Sequence, residues 1–142
     1  MGKCAFVTVG TTQFDQLIET IVHDSNVLRT LVDCLNIDKL ILQIDSIEQD
    51  IQQADLVISH AGAGTILQTL EAHKPLLVVV NEKLMNNHQL EIAHEMEQQG
   101  YLFHCTCSTL VTVLKKFVNH EFKQYEKGNP LLFGQYLNQI MS

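Results

Sequence analysis

Asp55-Leu56-Val57-Ile58-Ser59-His60-Ala61-Gly62-Ala63-Gly64-Thr65 changes character halfway along. Leu56, Val57 and Ile58 form an apolar run too short for a helix and suited to a strand buried on both faces. Gly62, Ala63 and Gly64 then leave almost no side-chain bulk, and Ile66, Leu67 and Leu70 take up helical spacing directly afterwards. The order is strand, small-residue turn, helix. The first turn of such a helix holds N–H groups without intrahelical partners and the positive end of the macrodipole. A diphosphate can therefore seat against it where no side chain intervenes. An ordinary tight βα connection, whose glycines only relieve backbone strain, fits the same residues. Neither Gly-x-Gly-x-x-Gly after the first strand nor Gly-x-x-x-x-Gly-Lys-Ser/Thr occurs, so the usual dinucleotide and P-loop fingerprints are absent.

The same order recurs on either side. Cys4–Val9 reads as a buried strand that runs into Gly10-Thr11-Thr12, with Thr12 placed to cap a helix carrying Phe14, Leu17, Ile18, Ile21 and Val22. Asp24-Ser25-Asn26 interrupts that helix, and Val27–Leu35 predicts a shorter one. Leu40–Ile44 is the second strand. Ile47, Ile51 and Ala54 allow two turns of helix before Asp55, so this crossover is close to the minimum of about 10 to 12 residues for a parallel connection.

Pro75 ends the central helix, and Leu76–Val80 is a continuously apolar interior strand. A polar loop over Asn81–Asn86 leads to a helix at Asn87–Gln98 with Leu90, Ile92, Ala93 and Met96 as its buried side, stopped by Gly100. Tyr101–Cys105 reads as an edge strand. Ser108 is placed to cap a helix with the stripe Leu110, Val113, Leu114, Phe117 and Val118. Gly128-Asn129-Pro130 marks a loop before a terminal amphipathic helix over Leu132, Tyr136, Leu137 and Ile140.

Strands alternating with helices predict an α/β fold: a single Rossmann-like domain over residues 1–142, with a mainly parallel sheet flanked by helices and one shortened crossover. Ligands in such folds bind beyond the carboxyl ends of the strands. Gly10–Thr12, Ser59–Thr65 and Asn81–Gln89 converge there.

Composition narrows the function. A chain of 142 residues is long enough for one core and too short for two ordinary domains. A formal charge of −7 argues against a nucleic-acid partner, which needs a basic face. The longest apolar runs fall far below the roughly 20 residues of a membrane span. Met1-Gly2-Lys3 enters a strand without the apolar region of a secretory signal, and Phe6 stands where N-myristoylation wants Ser or Thr. Cys4, Cys34, Cys105 and Cys107 read as reduced thiols of the cytosol. His104-Cys105-Thr106-Cys107 lacks the second spaced pair of a structural zinc site, so no metal is assigned.

Four segments carry a resemblance: Phe6–Thr12, Ala54–Gly64, Asn81–Glu91 and Phe103–Leu110. On these the chain resembles glycosyltransferase family 28 in its nucleotide-sugar-binding half, and within it the eukaryotic transferases that extend dolichol-diphosphate-linked GlcNAc. The resemblance implies the donor half of a GT-B fold that binds UDP-GlcNAc. It sets Gly10, Thr11, Thr12, Gly62, Ala63, Gly64 and Thr65 against the donor diphosphate and His60 beside the phosphate or sugar. Asn87, His88 and Gln89 would meet the GlcNAc hydroxyls. Each has a plainer reading: His60 and His88 as backbone partners at loop ends, and Asn86 and Asn87 as helix caps.

The resemblance calls for no metal and no cofactor, and it leaves the general base unknown. It puts the lipid-linked acceptor site on a membrane-anchored partner subunit, which would recruit a cytoplasmic chain to the endoplasmic reticulum. Two departures stand out. Gln68 occupies the place where relatives carry a glutamate for the ribose hydroxyls, and a neutral amide is the weaker acceptor, which predicts poorer donor affinity. Glu71, one turn on, is expected to face elsewhere. The second is the short crossover, since relatives carry a longer connection with another strand. Both keep open a non-catalytic nucleotide-sugar-binding or scaffolding form. A nicotinamide-dependent oxidoreductase with Asp45 as ribose acceptor lacks its glycine fingerprint.

Overall fold

Among the described residues, five apolar segments pair side by side in a wholly parallel sheet. The computed structural model describes residues 3–8, 15–43, 48–60, 63–80, 87–118 and 120–123. The strands are β1 (Lys3–Thr8), β2 (Ile37–Gln43), β3 (Leu56–His60), β4 (Leu76–Val79) and β5 (Phe103–Cys105), in the order β2-β1-β3-β4-β5. Ala5 to Thr8 pair in register with Leu56 to Ser59, Val57 to His60 with Leu76 to Val79, and Leu77 to Val79 with Phe103 to Cys105. The sheet is the mainly parallel one expected from the alternation of elements, with β5 at one edge and β2 at the other.

Side chains of a strand alternate between faces, and that alternation divides the core into two layers. Ala5, Val7, Leu56, Ile58, Leu77 and Val79 point to one face. They meet Leu17 and Ile21 of α1 (Asp15–His23), Val27 of α2 (Ser25–Arg29) and Leu110, Val113 and Leu114 of α6 (Leu110–Lys115). Phe6, Val57, Leu76 and Val78 point to the other face. There they meet Ile51 of α3 (Glu48–Gln53), Ile66 and Leu70 of α4 (Ala63–Glu71), and Ile92, Ala93 and Met96 of α5 (Asn87–Gln98). Phe6, with no exposed surface, is the largest fully buried side chain of this second layer. Its burial accounts for about 2 to 3 kcal/mol of transfer free energy.

Several boundaries differ from the sequence reading for local reasons. β2 starts at Ile37, three residues early, because Asn36 takes a left-handed turn (φ 59°) and releases the chain straight into the sheet. The helix expected over Val27–Leu35 is α2 followed by a π-helical turn at Thr30–Cys34, in which Leu35 N–H reaches back to Thr30 O. Only Asp24 separates α1 from α2; its carboxylate accepts from Asn26 N–H at 2.9 Å and caps the new helix. Val22 and Val118, expected on buried stripes, are exposed, and so is Leu90. Thr106, not Ser108, caps the turn before α6: Thr106 N–H donates to Thr109 Oγ1 at 3.0 Å, and its own hydroxyl closes a capping box. Val9, Thr12, Ile44, Ile47, the loop at Asn81–Asn86 and the terminal helix expected beyond Gly128 lie outside the described residues.

The crossover from β2 to β3 passes over β1 with α3 of only six residues, about 9 Å of rise against roughly 17 Å for β3. Ile51 and the following Ala54 still reach the core, both about 1% exposed.

Candidate functional site

In this strand order the chain leaves β1 toward β2 on one side, while β3 lies on the other. α1, which follows β1, and α4, which follows β3, pack on opposite faces of the sheet, and in a doubly wound sheet ligands bind at such a switch point, outside the carboxyl edge. Thr8 and Ser59 are register partners just below this edge, and both are fully buried. His60 is the last residue of β3, paired with Val79. Val80 N–H donates to Cys105 O at 2.8 Å, so the β4–β5 ladder continues one residue past β4.

Two helices start at this edge. α4 begins at Ala63, three residues after β3, and α5 begins at Asn87 after the connection from β4. Both pack on the face that holds Phe6, and both present first-turn N–H groups and a positive dipole end to the carboxyl edge.

The expected site residues distribute as follows. Gly10, Thr11, Thr12 and Gly62 lie outside the described residues. His60 sits at the carboxyl end of β3. Ala63, Gly64 and Thr65 form the first turn of α4 and so belong to the helix rather than to the loop before it. Asn87, His88 and Gln89 form the first turn of α5. Gln68 is exposed on the second turn of α4. Glu71 is exposed as well, on the side of α4 away from Ile66, Thr69 and Leu70, so it shares the solvent face with Gln68 instead of facing elsewhere. It stands about 4.5 Å further along the helix.

The His104–Cys107 segment serves structure. His104 N–H donates to Glu97 Oε1 at 2.8 Å, which ties β5 to α5, and the same oxygen lies 3.1 Å from His104 Nδ1 without forming a hydrogen bond to it. Burial, with smaller contributions from Cys107 and Glu97, pushes the Cys105 thiol up to about 12. A thiol held protonated in this way is a poor metal ligand and a poor nucleophile. Among the described residues, no group of three or more His, Cys, Asp or Glu side chains gathers as a metal site would require.

Sequence reading missed what lies at the opposite, amino edge of the sheet. Two clefts open there, one of about 340 Å³ beside the C-terminus of α4 and one of about 200 Å³ between Lys3, Ile37 and Asp55. The only sequence signal near the larger one is the run His73-Lys74-Pro75, which reads as a helix stop.

Comparison with known proteins adds what geometry alone does not. Residues 39–133 match the glycosyltransferase family 28 C-terminal domain. The chain belongs to this family. It is 48% identical over 131 residues to the UDP-N-acetylglucosamine transferase subunit ALG13 of Homo sapiens, a match covering 76% of this chain and 11% of that protein. The subunit of the same name from Candida albicans is 37% identical over 97 residues, covering 68% of this chain and 30% of its own. The chain thus spans a small part of these relatives' lengths. A solution structure of ALG13 superposes with a TM-score of 0.74 at 24% identity, covering 99% of this chain and 98% of that one, which establishes the shared fold.

Proposed function

We propose that this chain is the donor-binding subunit of a UDP-GlcNAc transferase that adds the second GlcNAc to dolichol-diphosphate-GlcNAc. The reading rests on one observation above the rest: α4 opens directly off β3 at the switch point of the sheet, in a chain 48% identical to a protein named for UDP-GlcNAc transfer. Backbone N–H groups of Gly62, Ala63, Gly64 and Thr65 take the donor diphosphate, with Gly10, Thr11 and Thr12 closing it from the β1 side. His60 stands beside the phosphate or sugar, Gln68 accepts from the ribose, and Asn87, His88 and Gln89 meet the GlcNAc hydroxyls.

The chemistry follows from that placement. A hydroxyl of the lipid-linked acceptor attacks the anomeric carbon, the bond from that carbon to the diphosphate oxygen breaks, and UDP leaves with the bonding electrons while the hydroxyl proton passes to a general base that is assigned to no residue of this chain. Negative charge grows on the diphosphate, where amide dipoles already fixed in a helix stabilise it without reorganisation. The acceptor site belongs to a membrane-anchored partner subunit. No described helix is long and apolar enough to cross a membrane, so the partner would bring this chain to the cytosolic face of the endoplasmic reticulum.

Gln68 and the short β2–β3 crossover favour a second reading, a subunit that binds the nucleotide sugar without supporting transfer. Calorimetric titration with UDP-GlcNAc, followed by a transfer assay in the presence of the partner, separates the two. Binding with turnover supports the enzyme, and binding without turnover supports the scaffold. Gln68→Glu is expected to tighten UDP-GlcNAc by about fivefold through a charged acceptor, and unchanged affinity would remove Gln68 from the ribose site.

A further inference from the structure

The cleft of about 340 Å³ at the amino edge lies a full sheet length from the donor site and does not depend on it. One wall is the C-terminal turn of α4, His73 and Lys74; the other is Tyr101 together with His120, Phe122 and Lys123. These walls are anchored. Lys123 N–H donates to Gly100 O at 2.9 Å, and Lys123 Nζ stands 5.6 Å from the Tyr101 ring centre. Phe122 packs edge-on against Phe103 at 5.1 Å and against His120 at 4.5 Å, which holds residues 120–123 across the end of α5.

Charge singles the cleft out. The chain carries a formal −7, yet Lys74 and Lys123 line this cleft against one carboxylate, Glu121, and the rings of His73 and His120 line it too. Its volume falls in the range of small-ligand pockets, and aromatic rings with a few convergent cations are the lining that such pockets use.

We propose that this cleft binds a small aromatic anion, a planar ring bearing a carboxylate or a phosphate monoester. The Lys74 and Lys123 ammonium groups take the anionic group, and Phe122 and Tyr101 take the ring. The two lysines also stand near the negative ends of α4 and α5, and that role alone would need no ligand.

The test is an amide NMR titration of the whole chain with phenyl phosphate, benzoate and, as a cation of the same size, benzylamine. Saturating shifts at His73, Lys74, Tyr101 and Lys123 are expected with the two anions in the millimolar range. The tighter of the two identifies phosphate monoester or carboxylate. A Lys74→Ala, Lys123→Ala double variant should bind about tenfold more weakly, with β1 amides unmoved, and the double Arg variant should retain binding. Absence of saturable shifts, an equal response to benzylamine, or undiminished binding by the double Ala variant would overturn the proposal. So would a lowered melting temperature without any loss of anion affinity, which assigns the lysines to the helix ends.

Discussion

The two edges of the sheet handle the ends of the same helices in opposite ways. At the amino edge α4 and α5 finish in the same closed motif. Lys74 N–H donates to Thr69 O and His73 N–H to Leu70 O; Tyr101 N–H donates to Met96 O and Gly100 N–H to Glu97 O. Both are Schellman caps, with His73 (φ 57°) and Gly100 (φ 88°) in the left-handed position, so the carbonyls of Thr69, Leu70, Met96 and Glu97 are satisfied by the chain itself. Strand starts are closed in the same spirit: Asp55 Oδ2 accepts from Cys4 N–H at 2.7 Å and Asp38 Oδ2 from Lys3 N–H at 3.2 Å. At the carboxyl edge the same two helices begin, and helix geometry leaves their first N–H groups without intrahelical partners. The amino edge therefore closes these bonds within the chain, while at the carboxyl edge the proposed donor site would use the first-turn donors of the same helices.

That contrast can be broken most sharply at Gly64. Valine in the first turn of α4 is expected to weaken UDP-GlcNAc by about a hundredfold if bare amides hold the diphosphate. Valine is no worse than glycine in a helix, so stability should change by less than about 1 kcal/mol. Calorimetry beside a thermal melt reads both. Asp55→Ala should do the reverse: about 1.5 kcal/mol of stability lost in urea titration, because Cys4 N–H loses its acceptor, with donor affinity unchanged. A drop in affinity there would blur the division between the edges.

The two Schellman caps sharpen it further. A Cβ at Gly100 would meet Lys123 Cβ at 3.6 Å, an ordinary contact, so Gly100→Ala is opposed by its backbone angle alone and should cost about 1 kcal/mol. His73→Gly relieves the same angle at α4 but loosens the unfolded chain, which leaves a net gain of about 0.5 kcal/mol. Denaturant midpoints at constant slope measure both, and opposite signs are the expected result.

These contacts also show what a sequence makes legible. The central βαβα run was readable because Leu56–Ile58 and Leu76–Val79 are continuous apolar strands and because Ile92, Ala93 and Met96 keep helical spacing; α5 occupies the expected Asn87–Gln98. Periodicity fails where the backbone leaves its regular period. The π turn at Thr30–Cys34 and the left-handed Asn36 shift the start of β2, and no apolar pattern records either. Leu90 looked like part of the buried stripe of α5, yet it lies exposed in the second turn, beyond the reach of the core. For the site, element order placed the first turns of α4 and α5 at one edge. The amino-edge contacts escaped because Asp55 and Cys4 are 51 residues apart, and His73 departs from the glycine that a helix stop normally announces.

Amide NMR during a UDP-GlcNAc titration addresses the donor site most directly, since both edges are observed in one experiment. The largest shifts are expected at Ala63, Gly64 and Thr65 and at Asn87 to Gln89, with His73, Lys74, Gly100 and Tyr101 unmoved. Shifts concentrated at those four amino-edge residues, or no saturable shift anywhere, would contradict the assignment of the donor diphosphate to the start of α4.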